Sequence, residues 1–256
     1  MLSLKFSPAN AKTSKLQKYP QLQKYLQGRK IYSLDLLSGV GCMGARDCLA
    51  YVIHKNGKRK LKDGPKTEFR CFSASQEVLY ENVFNLRKHN LDLMRQLKTE
   101  EKITNQILAD IPKNCGILRL SVAGDILSQE HFNALANVAQ RRSDILFYGY
   151  TKSLPFWTNY LDLGKTLPTN FVLTASKGGK YDNLIDKYNL RSAKVVYSSY
   201  QAKKLGLPID HSDIHAADPA KKNQDFALVI HGQQKGNTKA SKAWQRIKNN
   251  KGGYSR

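Results

Sequence analysis

The distribution of apolar residues along the chain predicts strands that alternate with helices. Six short runs are rich in β-branched and aromatic residues, which is typical of buried strands. They lie at 31–39, 116–125, 144–152, 169–176, 192–199 and 225–232. Apolar residues at helical spacing occupy the segments between several of them, at 75–97, 99–111, 128–142, 181–188 and 200–206. This alternation indicates a parallel sheet covered by helices.

The predicted strands end in small or polar residues at their C-terminal ends. Examples are Gly124-Asp125, Thr151-Lys152 and His231-Gly232. In barrels of βα units such strand ends converge on the active site, whereas an open sheet places its site at one switch point. Six strands are fewer than a complete barrel contains. We therefore predict an α/β fold, an incomplete parallel (β/α) barrel of about six strands.

Positive charge is concentrated at the two ends of the chain. Lys and Arg number 42 against 20 Asp and Glu, a net charge of +22. Residues 1–30 and 232–256 each carry seven basic side chains and no acidic one. We predict a basic N-terminal arm at 1–30, an α/β domain at 31–232 and a basic C-terminal tail at 233–256. Basic arms bind polyanions without reading sequence, so nucleic acid is a predicted partner, with a solubility role as the alternative.

Composition excludes several classes of protein. Hydrophobic residues at 41% and charged residues at 24% are typical of globular proteins and exclude disordered, collagen-like and small disulfide-rich chains. No apolar run reaches the roughly 18 residues of a membrane span, and the N-terminus lacks the apolar core of a signal peptide. We expect no membrane partner and a cytoplasmic location, where cysteines serve as ligands, catalytic thiols or core residues rather than disulfides.

Three of the four cysteines fall in a predicted loop at 40–75. Five residues separate Cys42 from Cys48, and 22 separate Cys48 from Cys71. Long loops of this kind are usually functional or disordered. Thiolates suit iron–sulfur clusters, zinc or copper(I), and three of them leave one position open. Zinc completed by His54 is a second interpretation, and buried inert thiols are a third. Cys115 is predicted to be a core residue.

Several long strings resemble the uncharacterised phage family named for gene product eighty-eight of mycobacteriophages. The similarity covers about residues 30–235 and implies a location in the host cell cytoplasm. The strings are DGPKTEFRCFSASQEVLY, LRLSVAGDILSQEHF, FYGYTKSLPFW, NFVLTASKGGKYD and FALVIHGQQ.

The cysteine loop after the first strand of a βα barrel also resembles radical S-adenosylmethionine enzymes, although those enzymes typically space their cysteines as C-x3-C-x2-C. The resemblance implies a 4Fe-4S cluster with one open iron at Cys42, Cys48 and Cys71, and S-adenosyl-L-methionine as the cofactor of a radical enzyme. The competing hypothesis is a non-catalytic nucleic-acid-binding phage protein with a structural iron–sulfur or zinc site.

The same resemblance assigns roles to residues at the strand ends. Gly124 and Asp125 take the place of the motif that holds the amino group of S-adenosylmethionine; a turn before the helix at Ser128 is the alternative. Thr174 and Ser176 end a later strand with donors suited to a carboxylate, ribose or phosphate; an ordinary hydrated loop is the alternative. Asp125, Lys152 and His231 are the predicted catalytic residues.

A further group of titratable residues lies at 210–215. Asp210, His211, Asp213 and His215 could bind a divalent ion or act as general acids and bases. An ordinary polar loop is the alternative interpretation.

Overall fold

The computed structural model describes residues 2–249 and has an α/β architecture. Its strands are β1 (Ser7–Pro8), β2 (Lys30–Leu34), β3 (Ala50–Lys55), β4 (Lys58–Asp63), β5 (Cys115–Leu120), β6 (Leu146–Thr151), β7 (Phe171–Ser176), β8 (Ser192–Val196) and β9 (Phe226–Val229). Its α-helices are α1 (Gln23–Leu26), α2 (Ala74–Leu79), α3 (Glu81–Gln96), α4 (Glu100–Asp110), α5 (Gln129–Arg141), α6 (Leu154–Asp162), α7 (Asn183–Lys187), α8 (Ser199–Lys204), α9 (Ile214–Ala217) and α10 (Lys239–Asn249).

Seven of the strands form one mostly parallel sheet. Its order is β1-β2-β5-β6-β7-β8-β9, and only the pair β1–β2 within it is antiparallel. From β2 to β9 the order follows the chain and does not reverse. Parallel neighbours require long crossover connections, which the intervening helices and loops provide. The C-terminal ends of β2 and β5–β9 therefore lie along the same edge of the sheet.

One face of the sheet is covered by the longer helices. Successive strand residues point to opposite faces, and Leu118, Leu120, Phe147 and Leu173 belong to a large buried cluster. Helices α3, α4 and α5 contribute Leu91, Met94, Ile103, Ile107, Phe132 and Leu135 to the same cluster. Each such side chain, when fully buried, contributes about 1.5–3 kcal/mol. This cluster is the main core of the protein.

Local signals in the sequence explain where these helices begin. Ser128 precedes α5, and its hydroxyl accepts a hydrogen bond from the His131 N–H. Thr99 does the same for α4 by accepting from the Lys102 N–H. A hydroxyl at this position satisfies one of the N–H groups that a helix start leaves unpaired. The predicted helices at 99–111 and 128–142 therefore agree with the structure to within about one residue.

The N-terminal segment packs against the other face of the sheet. Leu16, Leu22 and Leu26 join strand residues Ile117, Tyr148, Val172 and Phe226 in a second buried cluster. The segment predicted as a basic arm is thus part of the folded domain. Its leucines bury apolar area, while Lys5, Lys18, Lys24 and Lys30 remain exposed.

The segment 40–75 contains a β-hairpin that the sequence analysis did not predict. Strands β3 and β4 pair in an antiparallel ladder from Ala50–Asp63 to Lys55–Lys58. Asn56 and Gly57 connect them with φ angles of 54° and 69°. Positive φ at both central residues defines the hairpin turn that Asn-Gly favours. The hairpin holds the cysteine segments on either side of it at fixed positions.

The predicted basic tail contains helix α10, which packs on the core. Ala240 and Ala243 are buried against Ile230, while Lys239, Lys242, Arg246 and Lys248 are exposed. Residues 250–256 of the tail lie outside the described residues, as does Met1. Within residues 2–249, no helix has the length and apolar character that crossing a bilayer requires.

Candidate functional site

A cavity of about 730 Å³ lies at the C-terminal ends of the parallel strands. Its wall includes Arg119 of β5, Tyr150 of β6, Ser176 of β7, Val195 of β8 and Leu228 of β9. Along each strand, these residues alternate with residues that are buried beneath the long helices. They therefore lie together on the opposite face of the sheet. The cysteine segments, the start of α2 and the region after β9 complete the wall.

The structure brings Cys42, Cys48 and Cys71 to this one cavity. The Cys71 N–H donates to the Cys48 carbonyl at 3.1 Å, so the two cysteines are joined across 22 intervening residues. The Cys71 Sγ lies 3.8 Å from the Ser38 Oγ, at the start of the loop that carries Cys42. Cys115, by contrast, is buried in the main core, as the sequence predicted.

Glycines allow the cysteine segment to lie directly on the strand ends. A Cβ atom at Gly44 would overlap the Lys152 carbonyl, so a larger residue cannot take this position without a shift of the backbone. The Lys180 N–H donates to the Gly44 carbonyl at 2.9 Å, and the Asp47 N–H donates to the Gly178 carbonyl at 2.9 Å. The segment between Cys42 and Cys48 is therefore bonded to the loop after β7.

One buried and one partly buried ion pair hold the remaining parts of the cysteine segment. Glu77, at 0% exposure, accepts from the Ser38 N–H at 3.0 Å, the Ser38 hydroxyl at 2.9 Å and the Arg87 guanidinium at 3.0 Å. Next to Cys71, Arg70 donates two hydrogen bonds to Asp63 of β4, at 2.8 and 3.0 Å. Such bidentate pairs fix geometry as well as adding energy.

Burial keeps the thiols of Cys42 and Cys48 protonated in the absence of a cation. Burial, and then Asp125, raise the pKa of Cys42 well above its usual value. Burial raises the pKa of Cys48 to about 11, opposed by the nearby Lys152 ammonium. A coordinating metal reverses this effect because it stabilises the thiolate directly. The Cys42 and Cys48 thiols therefore need a cation to act as ligands.

No single-ion site is formed by the described residues. In 2–249 there is no group of three or more His, Cys, Asp or Glu side chains that could hold a metal ion. His54, the predicted fourth zinc ligand, lies on β3 with its ring 5.5 Å from that of Phe84, and it does not line the cavity. The outward direction of the His54 side chain from the hairpin is the physical reason.

Asp125 is a buried carboxylate beside the cysteines. Its Oδ1 accepts from the Thr151 hydroxyl at 2.6 Å and the Ile126 N–H at 2.8 Å. Its Oδ2 accepts only the Lys152 N–H, at 2.8 Å, among the described residues. Burial raises the pKa of Asp125, opposed by these hydrogen bonds. The preceding Gly124 has φ of 78°, and a Cβ there would meet Leu36.

Lys152 connects two strand ends rather than projecting freely into the cavity. Its ammonium donates to the Ser176 carbonyl at 2.7 Å, the Ser176 hydroxyl at 2.8 Å and the Lys177 carbonyl at 2.7 Å. All three ammonium protons thus have acceptors. Lys152 positions the end of β7 beside that of β6, and Ser176 keeps its own hydroxyl proton to donate.

Thr174 does not line the cavity. It is fully buried, and its hydroxyl accepts a hydrogen bond from Arg191. Because Thr174 lies two residues before Ser176 on the same face of β7, its side chain is covered by Arg191 rather than exposed to the cavity. The structure therefore separates these two residues, which the resemblance had grouped together.

His231 lines the cavity, as its place at a strand end predicts. Its ring stacks on Phe72, with centroids 3.7 Å apart, next to Cys71 in the chain. Burial, together with Lys12 and Arg119, lowers the pKa of His231 to about 3. The imidazole is consequently neutral at physiological pH.

The group at 210–215 does not converge on a single ion. Asp210 accepts the N–H groups of Ser212 and Ala216, and the His215 ring packs 5.8 Å from that of Phe226. Asp213 pairs with Lys12 and Arg119 instead, while the His215 Nδ1 lies 3.8 Å from the Asp210 Oδ1. The two carboxylates therefore have different partners, and the described side chains do not form one ion site.

A charged cluster at the cavity was not predicted from the sequence. Asp213, with its side chain at 0% exposure, pairs with Lys12 at 2.6 Å and with Arg119 at 2.7 Å, and accepts from the Tyr148 hydroxyl at 3.2 Å. Arg119 and Tyr150 both line the cavity. The sequence signal for this cluster is Arg119, which lies inside the apolar run GILRLS. Arginine is almost never buried unless it is paired.

Comparisons with known proteins agree with the family resemblance in the sequence. No curated protein and no solved structure matches the chain. The family model described as gene product 88 matches residues 2–248, a range that includes the N-terminal segment, the cavity and α10. The chain therefore belongs to the gene product 88 family.

Proposed function

We propose that this chain is an iron–sulfur enzyme of the radical S-adenosylmethionine type, with a 4Fe-4S cluster bound by Cys42, Cys48 and Cys71. The observation that carries the proposal is that three thiols from separate parts of the chain line one cavity. That cavity lies where parallel strands end, which is the usual position of active sites in βα barrels. The substrate is a molecule that fits the cavity.

The arrangement of the sheet supports the incomplete barrel that the proposal requires. An open doubly wound sheet reverses its strand order and carries helices on both faces. Here the order from β2 to β9 does not reverse, and α3 to α7 all contribute to the cluster on one face. The other face carries the cavity, the N-terminal segment with α1, and the short helix α9.

The donor set fits a cluster better than zinc. A tetrahedral zinc site needs thiolate sulfurs about 4 Å apart, and no such group of three exists among residues 2–249. In a cluster the thiolates bind different iron atoms, so their sulfurs are farther apart. Cys42, Cys48 and Cys71 would bind three irons, and the fourth would face the cavity. A bound and reduced cluster of this kind supplies the electron that cleaves S-adenosylmethionine.

The other residues of the cavity have distinct roles in this proposal. Asp125 Oδ2 keeps acceptor capacity beyond its bond to the Lys152 N–H, so it can accept from the amino group of S-adenosylmethionine. The Ser176 hydroxyl can donate to the same ligand. Lys152 orients Ser176, and the neutral His231 can form a hydrogen bond to the substrate. The aromatic ring of Phe72 keeps water away from that imidazole.

Iron binding tests the first part of the proposal. Anaerobic purification or reconstitution of the full chain should give a brown protein with about four irons and four sulfides per chain. Cys42→Ser, Cys48→Ser and Cys71→Ser should each lower the iron content and the visible absorbance. Cys115→Ser is the matched control, because Cys115 lies in the core. Iron content that is the same in all four variants, or stoichiometric zinc without iron, would refute the cluster.

Cleavage of the cofactor tests the second part. The reconstituted chain, reduced with dithionite in the presence of S-adenosylmethionine, should produce 5′-deoxyadenosine. Asp125→Asn should weaken S-adenosylmethionine binding without loss of iron, because Asp125 is not among the ligands. If the protein binds the cluster but yields no 5′-deoxyadenosine, the iron–sulfur site stands and the proposed radical activity is refuted.

Helix α10 favours the second candidate function, a nucleic-acid-binding phage protein. Its exposed side includes Lys239, Lys242 and Arg246 at helical spacing, and Trp244 of the same helix lines the cavity. A basic face beside a cavity attracts a polyanion. Binding to generic DNA should weaken steeply with salt, and substitution of these three residues by glutamine should reduce it. Unchanged DNA affinity in that variant would eliminate this function for α10.

A further inference from the structure

Two polar atoms of the cavity wall have no hydrogen-bond partner among the described residues. They are the Arg119 Nε and the Tyr150 Oη, and both are inaccessible to solvent. The two residues lie on the neighbouring strands β5 and β6, and their side chains share the cavity-facing side of the sheet. A buried N–H or O–H without an acceptor is costly. An acceptor from a ligand in the cavity would remove that cost at both atoms.

The surrounding contacts fix the direction of these donors. The Arg119 Nη1 pairs with Asp213 at 2.7 Å, and the guanidinium carbon lies 5.6 Å from the centre of the Tyr150 ring. The ion pair therefore anchors one edge of the guanidinium, whose Nε–H has no acceptor among the described residues. Burial, and then Asp213, raise the pKa of Tyr150 well above its usual value, so the hydroxyl keeps its proton. Both atoms act as donors.

The local charge favours an anionic acceptor. Lys12 and Arg119 both lie against the carboxylate of Asp213, and both cations also line the cavity. His231 adds none, since its pKa is lowered to about 3. Among the described cavity-lining residues the one carboxylate is Asp125, which lies beside the cysteines. An anion placed at Arg119 would meet two donors and a guanidinium cation.

We propose that Arg119 and Tyr150 form a binding site for an oxyanion, a carboxylate or phosphate oxygen, of the molecule that occupies the cavity. That this molecule is the substrate rests on the proposed function. Asp125 and the three cysteines line the same cavity, so one ligand could reach both. The proposal therefore names the chemical class of the substrate: a small molecule with an anionic oxygen that is held at Arg119 and Tyr150.

Two tyrosine variants separate ligand binding from folding. Tyr150→Phe removes a hydroxyl that has no described protein partner, so the ligand-free protein should melt at an unchanged or higher temperature. Tyr148→Phe is the matched control because its hydroxyl donates to Asp213 and the residue does not line the cavity. This control should melt at a lower temperature and keep its anion affinity. Arg119→Lys tests the second donor while it retains a cation for Asp213.

The experiment uses the full chain, purified in air without iron. The protein is titrated with inorganic phosphate or with acetate, and a titration with chloride at equal ionic strength is the reference. Ligand-induced increases in melting temperature and the fluorescence of Trp244 report binding. Phosphate, acetate or both should stabilise the wild type, and the anion that does so identifies the phosphate or carboxylate class. Tyr150→Phe should raise the apparent Kd by about tenfold or more, as loss of a hydrogen bond to a charged group implies.

Failure of either part would overturn the oxyanion site. If neither anion stabilises the wild type beyond chloride, the cavity has no such site. If Tyr150→Phe and Arg119→Lys both bind as tightly as the wild type, the anion binds elsewhere. Neither result bears on the cluster, because iron is absent from this assay. Conversely, a failure to bind iron would leave a measured oxyanion site intact.

Discussion

Replacement of Asp213 by asparagine would remove the negative charge that two buried cations share. The side chains of Lys12 and Arg119 are 15% and 13% exposed, and that of Asp213 is 0% exposed. Burial alone would raise the pKa of Asp213, but Arg119 and then Lys12 outweigh it and lower the pKa from 3.8 to about 2. That difference corresponds to about 2.5 kcal/mol in favour of the charged carboxylate.

We expect Asp213→Asn to lower the free energy of unfolding by about 3 kcal/mol at pH 7. Removal of one partner of a buried ion pair typically costs about 3–5 kcal/mol, and asparagine keeps an oxygen that can accept from Tyr148. The φ of Asp213 is 63°, a conformation that asparagine also tolerates, so backbone strain contributes little. Urea unfolding followed by the fluorescence of the buried Trp157 measures the change.

The pH dependence provides a second check of the same reasoning. The folded-state pKa of Asp213 is below the unfolded value, so its contribution is present above about pH 3.8 and is lost as the pH falls through about 2. The wild type and Asp213→Asn should therefore converge in stability near pH 2. Asp92→Asn is the control, because the exposed pair with Lys88 is worth less than about 1 kcal/mol. If Asp213→Asn and Asp92→Asn are equally stable at pH 7, the buried network does not anchor the N-terminal segment.

Two further outcomes are expected from local contacts. Gly44→Ala should abolish iron binding and lower the melting temperature, because its Cβ would overlap the Lys152 carbonyl. Iron content equal to that of Gly236→Ala, where nothing lies within 4 Å of the added Cβ, would contradict this. Burial lowers the pKa of His131 to about 4, and its Nδ1 accepts from the Leu127 N–H. The stability from the neutral ring is therefore present above pH 6.5 and declines towards pH 4 by up to about 3 kcal/mol. His131→Asn, which does not titrate, should flatten urea-derived stability across that range, and an unchanged slope would refute the assignment.

The elements that were predicted well depend on neighbours close in sequence. Helices α4 and α5 begin after Thr99 and Ser128, whose hydroxyls bond to N–H groups three residues later. The hairpin of β3 and β4 was missed although Asn56-Gly57 is a strong turn signal, because the basic residues of β4 obscure its alternation. The N-terminal leucines were likewise overlooked beside the lysines between them.

The sequence by itself determined the alternation of strands and helices, the small or polar strand ends and the family of the chain. These depend on period, capping and long matching strings, which are local properties. Only the tertiary structure decided that Cys42, Cys48 and Cys71 share a cavity with Arg119 and Tyr150, and that Lys12 reaches Asp213 across 200 residues of chain. Such contacts arise from parallel strand pairing and from burial of the N-terminal leucines, which act between residues far apart in sequence and leave no periodic signal.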